Sequence, residues 1–153
     1  MTGLASERSG RLAGWFEGGV HVCPVRVYYE DTDAGGIVYY ANYLRFAERG
    51  RTEFLRALEL GQQQLRDENG LMFAVRRVEV DYELPARLDD LLDVRTRIVH
   101  LGGARLEMGQ EILRGETRLV SMMVQVVSLD SETTRARRLS GFIRDILMPY
   151  SQS

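Results

Sequence analysis

The stretch Tyr28-Tyr29-Glu30-Asp31-Thr32-Asp33-Ala34-Gly35-Gly36-Ile37-Val38-Tyr39-Tyr40-Ala41-Asn42-Tyr43 stands between two different hydrophobic patterns. Upstream, Val20, Val22, Val25, Val27 and Tyr29 form a β-branched and aromatic run, which reads as a strand over residues 20–29. Pro24 puts part of that strand at a sheet edge or marks a bulge. Downstream, Tyr43, Ala47, Phe54 and Leu58 recur at helical spacing, with Leu44 and Leu55 beside them. That pattern predicts a helix over residues 41–60. Gly50 interrupts it at a cost of about 1 kcal/mol relative to Ala, unless close packing needs the missing side chain. Between the patterns, Gly35 and Gly36 let the backbone turn sharply.

Further along, residues 62–69 are polar and read as a short helix or helical turn closed by Asn69-Gly70. Four strand-like runs follow, at residues 71–83, 91–100, 105–113 and 117–129, with Gly102-Gly103 and Gly115 where hairpin turns are expected. Val78, Val80 and Tyr82 alternate with Arg77, Glu79 and Asp81, as in a strand with one buried face. Residues 140–147 read as a short closing helix ended by Pro149. Residues 1–19, rich in Gly, Ser and Arg, read as a flexible arm with Trp15 and Phe16 docking on the body. One long apolar helix followed by an antiparallel meander predicts an α+β fold, with about five strands wrapped around that helix. Residues 20–150 make one domain.

The chain has 153 residues, 44% hydrophobic and 27% charged, with a formal net charge of -2. Those values fit a single folded core and give no electrostatic reason to expect nucleic acid or an anionic membrane as partner. Cys23 is the single cysteine, which excludes an internal disulfide, suits a reducing compartment and reads as an inert thiol. His21 and His100 cannot by themselves build a metal centre and are expected to face solvent or be satisfied locally. No run is apolar enough for a signal-peptide core or membrane insertion, so the expected address is the cytoplasm.

The quoted stretch puts acidic side chains and a glycine turn directly before the start of an apolar helix. Helix starts present unpaired N–H groups and a partial positive charge, which suit a carbonyl oxygen gaining negative charge. A carboxylate just upstream can then face the carbon of that carbonyl, as nucleophile or as base for water. Plainer readings compete. Asp31, Thr32 and Asp33 can be ordinary turn and capping residues. A calcium loop is disfavoured, because Gly35 stands where a third oxygen ligand belongs and Asn42 where the bidentate glutamate should be. A phosphate cradle lacks its lysine.

Residues 25–53, with Glu48, Arg49, Arg51, Thr52 and Glu53 on the helix, resemble the signature of the 4-hydroxybenzoyl-CoA thioesterase branch of the hot-dog superfamily. They are most similar to the Tol-Pal-associated acyl-CoA thioesterases, the YbgC family. A second match is Val80-Asp81-Tyr82-Glu83-Leu84-Pro85-Ala86-Arg87-Leu88-Asp89-Asp90, and the resemblance spans roughly residues 22–147. It implies a hot-dog fold and hydrolysis of acyl-CoA thioesters, with short or medium acyl chains. Asp33 would be the catalytic carboxylate, either through an anhydride or by activating water. The backbone N–H of Tyr40 would polarise the thioester oxygen. Many relatives carry histidine at the position of Tyr40; the backbone role survives that change, whereas an imidazole's does not.

Glu48 reads as structural, pairing with Arg49 or Arg51, although some hot-dog thioesterases place their carboxylate on the helix. Tyr39 and Tyr43 read as core or pocket wall. Coenzyme A carries three phosphates, and Arg76, Arg77 and Arg105 lie where relatives approach the nucleotide. Beyond coenzyme A as part of the substrate, no cofactor and no metal is implied. The family pattern implies a homodimer or homotetramer, one subunit supplying the aspartate loop and another lining strands. Acyl carrier protein stands as an alternative carrier, and family association links the group to the cell envelope. A non-catalytic acyl-CoA or acyl carrier protein binding module is the alternative function. A dehydratase ranks behind it, because neither His21 nor His100 sits in a comparable motif.

Overall fold

A computed structural model describes residues 12–152 of the chain. Helix α1 (Asn42–Ala57) is the element around which everything else is wrapped. Tyr43, Phe46, Ala47, Gly50, Phe54 and Leu55 are its buried residues, spaced three and four apart along one face. Against that face lies an antiparallel sheet of β1 (Trp15–Glu17), β2 (Val20–Arg26), β3 (Leu71–Tyr82), β4 (Leu91–Leu101), β5 (Arg105–Arg114) and β6 (Thr117–Asp130). The strand order is β1-β2-β4-β5-β6-β3. Alternate residues of the central strands, such as Leu92, Val94 and Ile98 on β4 and Met108 and Ile112 on β5, are fully or almost fully buried in the shared core.

Gly50 is where helix and sheet come closest. A Cβ there would lie 2.6 Å from Val94 Cγ1 and 3.0 Å from Thr96 Oγ1. The loss in helix propensity is therefore the condition for this close approach. Gly70 and Gly115 both hold a positive φ of 61°, closing the turns before β3 and between β5 and β6. The last helix, α2 (Gly141–Leu147), is capped by the Ser140 side chain, which accepts from Ile143 N.

The sheet, expected to have about five strands, has six. The additional one, β1, falls inside the expected arm over residues 1–19 and pairs with Val20–Val22. Three residues are too few to leave a period-two signature. Residues 1–11 lie outside the described residues. Phe16 docks as expected, 5.4 Å from the Phe54 ring and 4.8 Å from Tyr150, whereas Trp15 faces outward and its Nε1 donates to Glu17 Oε1 at 3.2 Å. Pro24 lies beyond the end of β1, on the stretch of β2 that has a neighbour on one side only. His21 does not face solvent: it is 0% exposed, edge-on to Phe16 and Phe54. Burial drives its pKa down against a weaker pull from the Ala13 backbone.

Candidate active site

The loop from Tyr28 to Ala41 is a narrow hairpin folded across the start of α1. Thr32 bridges to Val38, Asp33 N donates to Ile37 O at 2.8 Å, and Gly36 N donates to Asp33 O at 3.1 Å. Gly36 makes the reversal with a φ of 79°. The two aspartates then part company. Asp31 is 7% exposed, and its Oδ2 accepts from Tyr28 N at 2.8 Å. Its carbonyl accepts both Tyr39 N at 3.0 Å and Asn42 Nδ2 at 2.8 Å, tying the loop to the helix start. Asp33 sits exposed at the tip. Its Oδ1 accepts from Gly35 N at 2.8 Å, while its Oδ2 has no hydrogen-bond partner among the described residues.

A second brace comes from the corner after Pro85. Val38 N donates to Ala86 O at 2.9 Å, and Ile37 bridges to Arg87. Ala86 N in turn donates to the buried Tyr43 hydroxyl at 2.9 Å. Asp90 holds the corner closed, accepting from Arg87 N and from Arg114 Nη1, both at 2.8 Å. Burial alone would raise the Asp90 pKa, but the Arg87 N–H and the Arg114 guanidinium outweigh it and hold the carboxyl below its ordinary value.

The helix starts at Asn42, slightly later than expected, so Tyr40 and Ala41 form the turn that leads into it. Asn42 N, Tyr43 N and Leu44 N donate to Tyr39 O, Tyr40 O and Ala41 O at 2.8, 3.4 and 3.2 Å. The amides of Tyr40 and Ala41 have no acceptor among the described residues. They are orphan donors of the kind every helix start presents. The Tyr40 ring is exposed and packs 4.9 Å from Tyr39 and 6.0 Å from Tyr82, which also meets Tyr43 at 5.7 Å. The loop, the helix start and the Tyr82 end of β3 thus share one corner of the molecule.

The arginines expected at coenzyme A lie elsewhere in the same subunit. Arg76 occupies a bulge in β3, where the register shifts between Val75 and Arg77. Arg77 pairs with Glu79 at 2.6 Å in the open. Arg105 is exposed at the start of β5. Arg77 pairs in register with Gln125 and Arg105 with Val127, so both point away from α1. Arg77 is five residues from Tyr82, about 17 Å along the strand. The subunit therefore does not gather these arginines around Asp33.

Glu48 forms no ion pair among the described residues; it acts on Arg51 only through space. It is exposed and lines two clefts. One, of about 630 Å³, runs beside β2 with Cys23, Val25, Arg45 and Arg49. The other, of about 270 Å³, runs beside β3 with Arg51, Phe73, Val75 and Met108.

Two arrangements escaped the sequence reading. Asn42 reads in the sequence only as a misfit to a calcium loop, yet its side-chain amide ties the helix to the loop. Gln110 is the other. Its Nε2 donates to Ala47 O and Thr96 Oγ1, both at 2.9 Å, and its Oε1 accepts from Arg51 Nη1 at 2.9 Å. The available signal was a single polar residue on the inward register of β5, between Met108 and Ile112.

The loop with the exposed Asp33 thus leads into a helix start whose Tyr40 and Ala41 amides are unpaired among the described residues, and the sheet wraps around that helix. Residues 27–147 match the family model of the thioesterase-like superfamily, and the chain belongs to that family. Among its relatives, the acyl-CoA thioesterase YbgC of Haemophilus influenzae is 49% identical over 107 residues, covering 70% of this chain and 79% of that protein. The acyl-CoA thioester hydrolase YbgC of Escherichia coli is 47% identical over 117 residues, covering 76% and 87%. A probable thioesterase from Bartonella henselae superposes with a TM-score of 0.76 at 44% identity, covering 79% of this chain and 99% of that one.

Proposed function

We propose that the protein hydrolyses acyl-CoA thioesters of short or medium chain length, with Asp33 as the working carboxylate. The observation that carries this reading is the presence, on one braced loop, of a carboxylate oxygen and the amides of Tyr40 and Ala41, all without partners among the described residues. A thioester oxygen placed on those amides gains stabilisation as it turns into an oxyanion. On the water route, Asp33 takes a proton from water while the water oxygen attacks the acyl carbon. Collapse of the tetrahedral intermediate expels the thiolate of coenzyme A, which receives that proton. On the covalent route, Asp33 itself attacks and expels the thiolate, and water then hydrolyses the mixed anhydride. Both return Asp33 to its starting form.

The exposed position of Asp33 calls for a second copy to close the site. Strand β3 is twelve residues long and has β6 on one side only, with Val75 and Tyr82 each 46% exposed. Antiparallel pairing of two β3 edges about Val78 and Glu79 brings the Val75 end of one copy beside Tyr82, and hence the Asp33 loop, of the other. The same pairing brings Arg76 and Arg77 close to the neighbour's Tyr82 end along the seam, Arg77 on the outer face of the sheet, where coenzyme A phosphates reaching out of the site would meet cations; Arg105 lies two strands further in. The single buried cysteine fits a cytoplasmic setting. Acyl carrier protein is the other carrier this geometry admits.

The test is thiol release from a panel of acyl-CoA esters by the purified protein. Asp33→Asn should lower kcat by about a hundredfold or more, since it removes both base and nucleophile. A protein that binds acyl-CoA and cleaves none of the panel is a binding module instead.

A further inference from the structure

The cleft between α1 and the inner face of β3 contains a positive charge that no carboxylate of this chain pairs with, among the described residues. Arg51 is half-buried there, and its one hydrogen bond runs to Gln110 Oε1 at 2.9 Å. Gln110 is 1% exposed and cannot swing, because Ala47 O and Thr96 Oγ1 hold its amide. The guanidinium is therefore fixed from behind, with donors left over for something in the cleft. Leu55, Phe73, Val75, Met108 and Val126 form the apolar part of the wall and Glu48, Thr52 and Gln62 a polar part, around a space of about 270 Å³. Burial pulls the Arg51 pKa down and the field of Glu48 only partly restores it. Leucine or methionine would fill the same position without the desolvation penalty. An anion arriving with a ligand would offset that penalty, and a carboxylate matches the guanidinium fork in shape as well as charge.

We propose that Arg51 is a specificity residue that selects acyl groups ending in a carboxylate, the half-thioesters of dicarboxylic acids. This rests on the acyl-CoA reading above and on the pairing of two β3 edges. Arg51 lies eleven residues beyond Tyr40, about 16 Å along the helix axis, too far for a short acyl group held on the Tyr40 amide of the same copy. In the paired arrangement the cleft of one copy opens toward the Tyr82 corner of the other. The acyl chain crosses that short gap over the Phe73 and Met108 side chains and meets Arg51. Glu48 also lines the cleft, but it is exposed and water screens it, so Arg51 dominates the field at the inner end.

The experiment compares kcat/KM for glutaryl-CoA and adipyl-CoA with that for the length-matched neutral esters valeryl-CoA and hexanoyl-CoA. The native protein should favour the acidic member of each pair by about tenfold or more, as expected for a charge-assisted contact. Arg51→Met should collapse that ratio, and Arg51→Lys, which keeps the charge and loses the fork, should fall between. Gln110→Glu is the second variant: it keeps an acceptor for Arg51 and neutralises it from behind, and because it loses the donor to Ala47 O its folding is checked by thermal unfolding; the folded variant should also collapse the ratio. An indifferent or inverted ratio in the native protein overturns the proposal, as does an equal loss on acidic and neutral esters in both variants. Cleavage of neutral esters alone leaves the thioesterase reading standing, whereas cleavage of none removes both.

Discussion

The Tyr43 hydroxyl accepts a hydrogen bond from the Ala86 amide at 2.9 Å, and the Ala86 carbonyl accepts one from the Val38 amide at the same distance. One alanine, 0% exposed, therefore connects the first turn of the helix to the loop that carries Asp33. Tyr43→Phe keeps the ring packing and leaves a buried N–H without an acceptor. Loss of about 1–3 kcal/mol is expected in urea unfolding, with the slope of the transition unchanged. Unaltered stability would show that the Ala86 amide finds another acceptor.

Asn42 makes the complementary tie on the other side of the loop. Removing its side chain in Asn42→Ala costs the bond to Asp31 O, but that carbonyl keeps the Tyr39 N–H. Stability should fall by only about 0.5–1.5 kcal/mol. Catalysis should suffer more, because the spacing between Asp33 and the Tyr40 amide is no longer fixed. A drop in kcat on the order of ten- to a hundredfold with little change in KM is expected. If KM changes and kcat does not, Asn42 shapes binding rather than the reacting geometry.

These two ties explain how far the sequence could be read. The long helix and the four following strands are legible from periodicity, because each buries one face and Gly70, Gly102, Gly103 and Gly115 mark all the turns except the Pro85 corner between β3 and β4. Asp31 and Asp33 were not separable by composition, since both are acidic turn residues two positions apart. Resemblance points to Asp33, and the fold supplies a physical difference: Asp31 is buried and bonded to Tyr28 N, while Asp33 keeps one oxygen without a partner among the described residues. Strand β1 was hidden by its length. The role of the corner after Pro85 was hidden because its bonds to Val38 and Tyr43 join residues more than forty positions apart. Of the three arginines proposed for coenzyme A, Arg77 faces outward as its alternation with Val78 and Val80 implies, whereas the position of Arg76 depends on a bulge that no periodicity announces.

Gly50 gives a prediction opposite in sign to helix propensity. On propensity alone, Gly50→Ala should stabilise the helix by about 1 kcal/mol. The new methyl would stand 2.6 Å from Val94 Cγ1, inside a core with no room to yield. Overpacking of this kind typically costs about 1–3 kcal/mol, so net destabilisation is expected in thermal unfolding. A raised Tm would mean that the helix slides away from β4 at little cost.

The Asp90–Arg114 pair sets an acid limit on the same corner. Asp90 is held below its ordinary carboxylate pKa of 3.8, so the folded state favours its ionised form. The resulting stability is fully present above that ordinary value and is lost as pH falls through the lowered native value. Asp90→Asn should therefore lower stability at neutral pH and flatten its dependence on pH below about 4. The measurement is urea unfolding of both proteins across that range. Parallel curves would show that other carboxylates carry the acid transition.

Cys23 yields the converse case, a group whose charged form is disfavoured by folding. Its thiol is 3% exposed, and burial, followed by the negative charge of Glu53, pushes its pKa up to about 11, with Arg49 opposing. At pH 8 the native thiol is almost wholly protonated, although it sits at the wall of the wide cleft beside α1. The unfolded thiol, with an ordinary value of 9.0, carries far more thiolate at that pH. Since the thiolate is the reactive species, iodoacetamide should label the native protein about a hundredfold more slowly than the protein in denaturant. The same linkage predicts that stability declines as pH rises above 9.0, where the unfolded chain releases a proton that the folded chain retains. Fast native labelling at pH 8 would mean that the cleft admits water to the sulfur.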